Sequence, residues 1–189
     1  MARGITRTQV IDSAAALVNT HGFAALSLAQ IAGQAGIKVP SLYNYVTGID
    51  DVRQALATRG AQEILAVVLH AAVGRAGTDA IMAVALAYRA YIVHNPGVYA
   101  ATIHADNLDP EFRHANTELL RVLSQILAHY CLTELALIHA LRGLRSLVHG
   151  FATLEISGGF GMPVDLDVSF VQMVQTFIGG ISQATATIQ

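Results

Sequence analysis

Helical periodicity constrains the fold more than any other feature of this sequence. Apolar residues recur three and four positions apart in almost every segment, and no run alternates apolar and polar residues with a period of two. Helix-start signals punctuate the pattern, because Thr6–Gln9 and Ser27–Gln30 have the form of capping boxes and Asp109 precedes a proline. The sequence therefore predicts an all-α protein of about nine helices.

The first 50 residues contain three short predicted helices, with a tight turn between the second and the third. Ala32 and Ala35 put small side chains where these two helices cross, and Gly36 suits a turn that requires positive φ. This is the pattern of a helix-turn-helix motif, which places its second helix in the major groove. We expect a DNA-binding head in residues 1–50, with the motif at 27–46, and a larger helical body in residues 51–189. Many helical proteins that never bind DNA contain a similar hairpin, so the spacing alone leaves both interpretations open.

Charge and composition favour the same organisation weakly. Residues 1–60 carry five Lys or Arg against three Asp, whereas the remainder carries six Arg against ten acids. Only 13% of residues are charged and 53% are hydrophobic, so we expect part of the surface to be covered by a second copy. The lone Cys131 excludes an internal disulfide, and we expect it to be a small buried hydrophobe. No run of about 20 apolar residues and no secretory signal is apparent, which predicts a cytoplasmic protein without a membrane partner.

Two segments of the head resemble a known family. Residues 27–37, followed by Pro40–Val46, resemble the signature of TetR-type transcriptional regulators, and His21-Gly22-Phe23 matches the usual end of helix one. The resemblance implies a homodimer that binds a near-palindromic operator in double-stranded DNA. It also implies that the body, residues 51–189, binds an effector and dimerises. Ser27 and Tyr43 would contact phosphate, and the residues at or near base edges would be Lys38, Val39, Ser41, Asn44 and Tyr45. The implied DNA-binding set is Ser27, Lys38, Val39, Pro40, Ser41, Tyr43, Asn44 and Tyr45.

The head departs from the family pattern at two positions. Ile49 stands where a phosphate-binding lysine is usual, and Lys38 stands where a Ser or Thr cap is usual. Losing one cationic contact per subunit should flatten the salt dependence of DNA binding, and Lys38 would restore part of it. Arg3 and Arg7 are further candidates for backbone or minor-groove contacts, although arginines near a terminus more often serve only solubility.

The last two predicted helices carry apolar stripes wide enough to pair with another chain. In the final helix, Gly179-Gly180 would be destabilising by about 1 kcal/mol each relative to alanine, which a close backbone approach would compensate. Two such helices from each subunit make a four-helix seam, although both stripes would also suit packing within one body. The predicted interface residues are Leu144, Val148, Phe151, Phe170, Val174, Phe177 and Ile181.

The middle helices contain candidates for an effector pocket. Segment 141–178, which includes His149-Gly150, resembles a body type common among these regulators, and family members commonly enclose a small molecule between these helices. Apolar and aromatic walls with a few polar groups favour a hydrophobic or aromatic effector, although the same residues would also make an ordinary core. The candidates are Met82, Tyr88, Arg89, Tyr91, Tyr99, His104, Phe112, Tyr130 and His149.

Catalytic and metal-binding patterns are missing from the sequence. No nucleophile elbow, phosphate loop or zinc-protease motif occurs, and no two histidines have helical i, i+3 or i, i+4 spacing. We therefore expect no enzyme, no cofactor and no metal. The predicted function is a DNA-binding repressor that a small hydrophobic effector releases. The alternative is a helical protein–protein interaction module with a vestigial DNA-binding head.

Overall fold

The computed structural model describes residues 5–105 and 109–186. These residues contain nine α-helices, two short 3-10 helices and no β-strand, which confirms the all-α prediction. The 3-10 helices are Phe23–Ala25 and Ala128–Tyr130. The α-helices are α1 Arg7–His21, α2 Leu28–Gln34, α3 Val39–Leu42, α4 Ile49–Ala72, α5 Gly77–His94, α6 Pro96–His104, α7 Pro110–Leu127, α8 Glu134–Ile156 and α9 Leu166–Ala186.

Side-chain caps explain where several helices begin. The Gln9 amide donates to the Thr6 hydroxyl at 3.3 Å while the Thr6 amide donates to Gln9 Oε1 at 2.9 Å, which is the reciprocal capping box expected for α1. The Asp109 carboxylate accepts the amide of Phe112 at 2.7 Å at the start of α7. Because these bonds satisfy amides that have no partner inside the helix, the local sequence determines these helix starts.

The chain forms two compact units. The head unit contains Met1–Glu63 and His94–Ala115, and the body unit contains Ile64–Val93 and Asn116–Gln189. The unit that holds the predicted motif therefore also contains α6 and the start of α7, which lie far from it in sequence. The division of functions at residue 50, with DNA binding before it and effector binding and dimerisation after it, stays a prediction.

A buried arginine lies at the centre of the body unit. Arg89 of α5 donates from Nε and Nη2 to the two carboxylate oxygens of Glu155, both at 2.7 Å, and from Nη1 to Asp167 at 2.7 Å. Its guanidinium carbon lies 5.0 Å from the ring centroids of both Phe151 and Phe170. The hydrogen bond to Glu155 raises the pKa of Arg89 against the opposing effect of burial. Arg89 therefore ties α5 to α8 and α9 as a fully charged group at neutral pH.

Cys131 does not occupy the position expected for it. The prediction of a buried side chain is wrong, because Cys131 is exposed. It ends the second 3-10 helix with φ 48°, a left-handed conformation that turns the chain towards α8.

Among the described residues, no single helix is long and apolar enough to cross a membrane, and only the bent pair Pro110–Tyr130 and Glu134–Ile156 has the required length and composition together.

Candidate nucleic-acid interface

The turn between α2 and α3 has the geometry that the sequence predicts. Gly36 has φ +69°, a conformation that side-chain-bearing residues rarely adopt. The amide of Ile37 reaches back to the carbonyl of Ala32 at 2.9 Å and closes the end of α2. Ala32 is buried and Ile37 is half-buried, so the turn packs closely beneath the next helix.

Helix α3 is short, but its backbone hydrogen bonds continue past its last residue. The amides of Tyr45 and Val46 both donate to the carbonyl of Leu42, at 2.9 and 3.2 Å. Leu42 is 0% exposed and Val46 is 2% exposed, so these two residues attach the segment to the head. The rest of the segment is left to face outward.

The outward side of this segment consists of the residues predicted to bind DNA. Tyr43 is 56% exposed, and Ser41 and Tyr45 are half-buried, which leaves their hydroxyl groups beside an exposed surface. Such a mixture of cation, hydroxyl, amide and apolar groups suits contact with phosphates and base edges. The exposed members are Lys38, Val39, Pro40, Tyr43 and Asn44.

Ser27 is already engaged within the head. Its hydroxyl oxygen accepts the amide of Gln30 at 3.3 Å, and the hydroxyl donates to Gln30 Oε1 at 2.9 Å. Ser27 thus caps α2 as predicted, and it remains half-buried at the edge of the motif.

The start of α4, which follows the motif, forms an ion pair with Arg7, so Arg7 is not a free cation. Ile49 is the first residue of α4 and is half-buried. The Asp51 carboxylate accepts the amide of Thr47 at 2.8 Å and Nη2 of Arg7 at 2.6 Å. Arg7 is therefore held against the start of α4 rather than extended as a flexible arm, and Arg3 lies outside the described residues.

The candidate effector residues are divided between the two units. Tyr99, His104 and Phe112 belong to the head unit, and the other six belong to the body unit. His104 is exposed, and its ring stacks on Phe23 at a centroid distance of 5.9 Å. Arg89 is committed to two carboxylates, so we withdraw it as a free polar group for a ligand. The buried candidates are Tyr88, Arg89, Tyr91, Tyr99, Phe112 and Tyr130, whereas Met82 and His149 are half-buried.

The head unit contains a polar groove that the sequence did not predict. It has a volume of about 720 Å³ and lies between α1, α4 and the start of α7. Arg59 bridges it by donating to Asp12 and Glu63, each at 2.7 Å. Burial works to lower the pKa of Arg59, but these hydrogen bonds outweigh it and the pKa is raised. No sequence signal indicates the groove, because Asp12 and Arg59 are 47 positions apart.

Most of the predicted dimer interface is buried within one chain. Leu144, Val148, Phe151, Phe170 and Val174 are between 0% and 6% exposed, so they have almost no surface to give to a partner. We therefore withdraw these five as interface residues. Phe177 and Ile181 are half-buried, and the Phe177 ring lies beside Gly143 of α8, where an added Cβ would be 3.0 Å from it.

The opposite faces of α8 and α9 are open. Gly179 and Gly180 are exposed, and among the described residues nothing lies within 4 Å of a Cβ added at either position or at Gly150. From Val168 onward the chain contains no charged residue. The uncharged stretch of α9 that holds Gly179 and Gly180 is therefore suited to a close approach by another helix, and Gly150 of α8 also leaves room for one.

The described part of the chain contains no group of three or more His, Cys, Asp or Glu side chains that could hold a metal ion.

An all-helical chain that presents a short exposed helix after a glycine turn has the geometry of a helix-turn-helix DNA-binding protein. A family model described as bacterial regulatory proteins, tetR family, matches residues 10–56, and one described as tetracyclin repressor-like, C-terminal domain, matches residues 81–177. The chain therefore belongs to the TetR family of transcriptional regulators, a class of DNA-binding proteins that are not enzymes.

Known proteins similar to this chain agree with that assignment. The uncharacterized HTH-type transcriptional regulator YobS of Bacillus subtilis (strain 168) is 30% identical over 180 residues, which is 94% of this chain and 93% of the relative. A protein of unknown function from Rhodococcus sp. RHA1 has a TM-score of 0.78 at 21% identity over 96% of this chain and 97% of its own. The TetR family protein ActR of Streptomyces coelicolor, in complex with (S)-DNPA, has a TM-score of 0.68 at 14% identity over 97% of this chain and 100% of its own.

Proposed function

We propose that this DNA-binding regulator is a homodimeric repressor that leaves a near-palindromic operator when a small hydrophobic or aromatic effector binds. A single observation supports the proposal: the segment 38–46 is anchored by buried Leu42 and Val46, and its other side exposes a cation, an amide and a phenol group. The operator lies in the cytoplasm of a bacterium, which is where we expect the protein to act.

The exposed side of α3 enters the major groove, led by its N-terminal residues. Lys38 precedes the helix and donates to a phosphate or to a guanine edge, and Asn44 offers an amide to base edges. Tyr43 and Ser27 contact phosphate, while Ser41 and Tyr45 complete the set that contributes sequence preference. Arg7 is paired with Asp51 in the absence of DNA, so a phosphate contact from Arg7 requires this exposed ion pair to break.

The seam between subunits consists of the outward faces of α8 and α9 rather than the buried stripes. Gly150, Gly179 and Gly180 allow a partner helix to approach closely, and α9 from Val168 onward has no charged side chain that would lose solvation when it is covered. Two such helices from each subunit form a four-helix bundle. The bundle holds two heads about 34–36 Å apart, which is the spacing of successive major grooves.

An effector acts by favouring a shape of the dimer in which the two heads no longer match two successive grooves. The complex of ActR with (S)-DNPA supports a small-molecule ligand for a protein of this fold. The aromatic residues of the body unit, such as Tyr88 and Tyr91, favour a hydrophobic ligand there over a sugar phosphate. A coupling of about 1–3 kcal/mol would change operator affinity from severalfold to roughly a hundredfold.

Selection from random double-stranded oligonucleotides tests this function. The full-length protein should enrich a palindrome whose half-sites lie about one helical turn apart. The matched control is the Ser41→Ala, Tyr45→Ala double variant, which keeps the buried anchors Leu42 and Val46 and should enrich the palindrome poorly. Enrichment of no sequence by the wild-type protein would contradict the proposal and would favour a protein-interaction module.

A further inference from the structure

Helix α6 receives its N-terminal cap from a distant helix. The side-chain oxygen of Asn19, near the end of α1, accepts the amides of Gly97 and Val98, each at 3.0 Å. The side-chain nitrogen of Asn19 donates to Asn95 Oδ1 at 3.3 Å. One side chain of α1 therefore binds the first turn of α6 through three hydrogen bonds.

The local sequence of α6 supplies no such cap. Asn95 occupies the N-cap position with φ −129° and ψ 53°, and its side chain makes no capping bond. Pro96 has no amide hydrogen, and the amide of Tyr99 already donates to the Asn95 carbonyl at 2.9 Å. The two amides that remain at the helix start are the two that Asn19 accepts.

The backbones of α1 and α6 also meet at this cap, and we call the contact between the two helices the α1–α6 joint. A Cβ added at Gly97 would lie 2.1 Å from the Val18 carbonyl oxygen and 2.7 Å from the Asn19 nitrogen, so α6 meets the backbone of α1 directly. At the other end of α6, the His104 ring stacks on Phe23, which follows α1 in the chain. Helix α6 is thus held at both ends by the segment that leads into the helix-turn-helix motif.

We infer that Asn19 is a positioning residue for DNA binding, because its cap on α6 fixes the orientation of α1, which packs on α2, and α2 in turn packs on the recognition helix α3. The inference rests on the proposed binding of one operator by two heads. Apparent affinity for the operator falls in proportion to the fraction of molecules whose recognition helix is oriented for DNA binding. A dimer requires that orientation in both of its heads. If loss of the cap leaves each head in the DNA-binding orientation about one third of the time, both heads have it about one ninth of the time, and operator affinity falls about ninefold.

Three variants of the full-length protein separate positioning from general stability. Asn19→Leu keeps the approximate size of the side chain and removes its acceptor. Asn19→Asp keeps an oxygen for the amides of Gly97 and Val98 and loses the donor to Asn95, while its negative charge is favoured by the start of α6 and disfavoured by the end of α1. Thr20→Ala is the matched control, because Thr20 is exposed and its hydroxyl donates only to the Ala16 carbonyl of its own helix, at 2.9 Å.

Two measurements are made on each variant: hydrogen exchange of the α6 amides in the free protein, and affinity for the selected operator by fluorescence anisotropy. In Asn19→Leu the amides of Gly97 and Val98 should exchange about tenfold faster, and operator affinity should fall fivefold to tenfold, about 1.0–1.4 kcal/mol. Helical content and dimer mass should not change. Asn19→Asp and Thr20→Ala should both stay within about twofold of wild type.

Two results would overturn the inference. Unchanged amide exchange in Asn19→Leu would show that the cap does not hold α6, whatever the DNA result. Faster exchange with unchanged operator affinity, or an Asp variant as weak as the Leu variant, would show that the cap does not position the head. If instead the wild-type protein binds no operator, the proposed function fails, and the exchange data still decide whether the joint exists.

Discussion

Replacing Gly97 with alanine places a methyl group where the backbone of α1 already lies. The added Cβ would be 2.1 Å from the Val18 carbonyl oxygen and 2.2 Å from its carbon, whereas ordinary contact begins at 3.4 Å. Both neighbours are backbone atoms inside α1, so neither can rotate away as the end of a side chain can. Helix α6 must therefore shift away from α1.

The size of the effect follows from that shift. To reach ordinary contact, the gap must open by about 1.3 Å, which stretches the two 3.0 Å hydrogen bonds that the amides of Gly97 and Val98 donate to Asn19 beyond useful length. Each bond contributes about 1 kcal/mol, and overpacking costs about 1–3 kcal/mol more. We expect Gly97→Ala to lower the free energy of unfolding by roughly 3–5 kcal/mol, which corresponds to a fall in Tm of about 6–20 °C for a chain of this length.

Thermal and urea denaturation at one fixed protein concentration measure the change, since a dimer's Tm depends on concentration. Gly33→Ala is the control: Gly33 is an exposed helical glycine of the head, and no described residue lies within 4 Å of an added Cβ. It should raise stability by up to about 1 kcal/mol. If Gly97→Ala were as stable as wild type, α6 would not lie against α1, and the joint described above would be wrong.

Four further variants test other features of the protein. Replacing Gly179-Gly180 with two alanines should favour the helix by about 2 kcal/mol in a monomer, yet it should weaken a closely packed dimer; sedimentation equilibrium showing an equally tight dimer would place the seam elsewhere. Ile49→Lys should tighten operator binding and steepen the salt slope by about 2 per dimer, and an unchanged slope would put position 49 away from phosphate. Arg89→Met should cost about 2–4 kcal/mol in urea denaturation, because it leaves the carboxylate of Glu155 in a mostly buried site. Asp167→Asn should cost less than about 1 kcal/mol, since the Asp167 side chain is 83% exposed, and equal costs would contradict this ranking.

Features that depend on neighbouring residues were predictable from the sequence. The capping box of Thr6 and Gln9, the positive φ of Gly36 and the buried side of α3 all follow from interactions within a few positions. For such features the periodicity and the turn chemistry contain most of the determining physics. The helix order and the outward face of residues 38–45 follow from the same signals.

Features that depend on distant partners were not predictable. The Asn19 cap joins residues almost 80 positions apart, and the sequence around α6 offers Asn95 as a plausible but unused alternative. The apolar stripes of α8 and α9, which include Val148 and Phe170, suit a partner chain and the protein's own core equally well, because hydrophobic burial is not directional. Only the three-dimensional structure shows that these stripes are buried within one chain. The same holds for Arg89, whose long apolar stem and aromatic neighbours also suit a ligand pocket.

The central claim is that residues 38–45 read duplex DNA, and the most direct measurement compares affinity for the selected operator with affinity for a scrambled duplex at one salt concentration. The ratio of the two affinities should be large for the wild-type protein. For the dimeric Ser41→Ala, Tyr45→Ala variant it should fall by about tenfold or more, because contacts to base edges are lost while phosphate contacts remain. A ratio that survives both substitutions unchanged would contradict the placement of this helix in the groove.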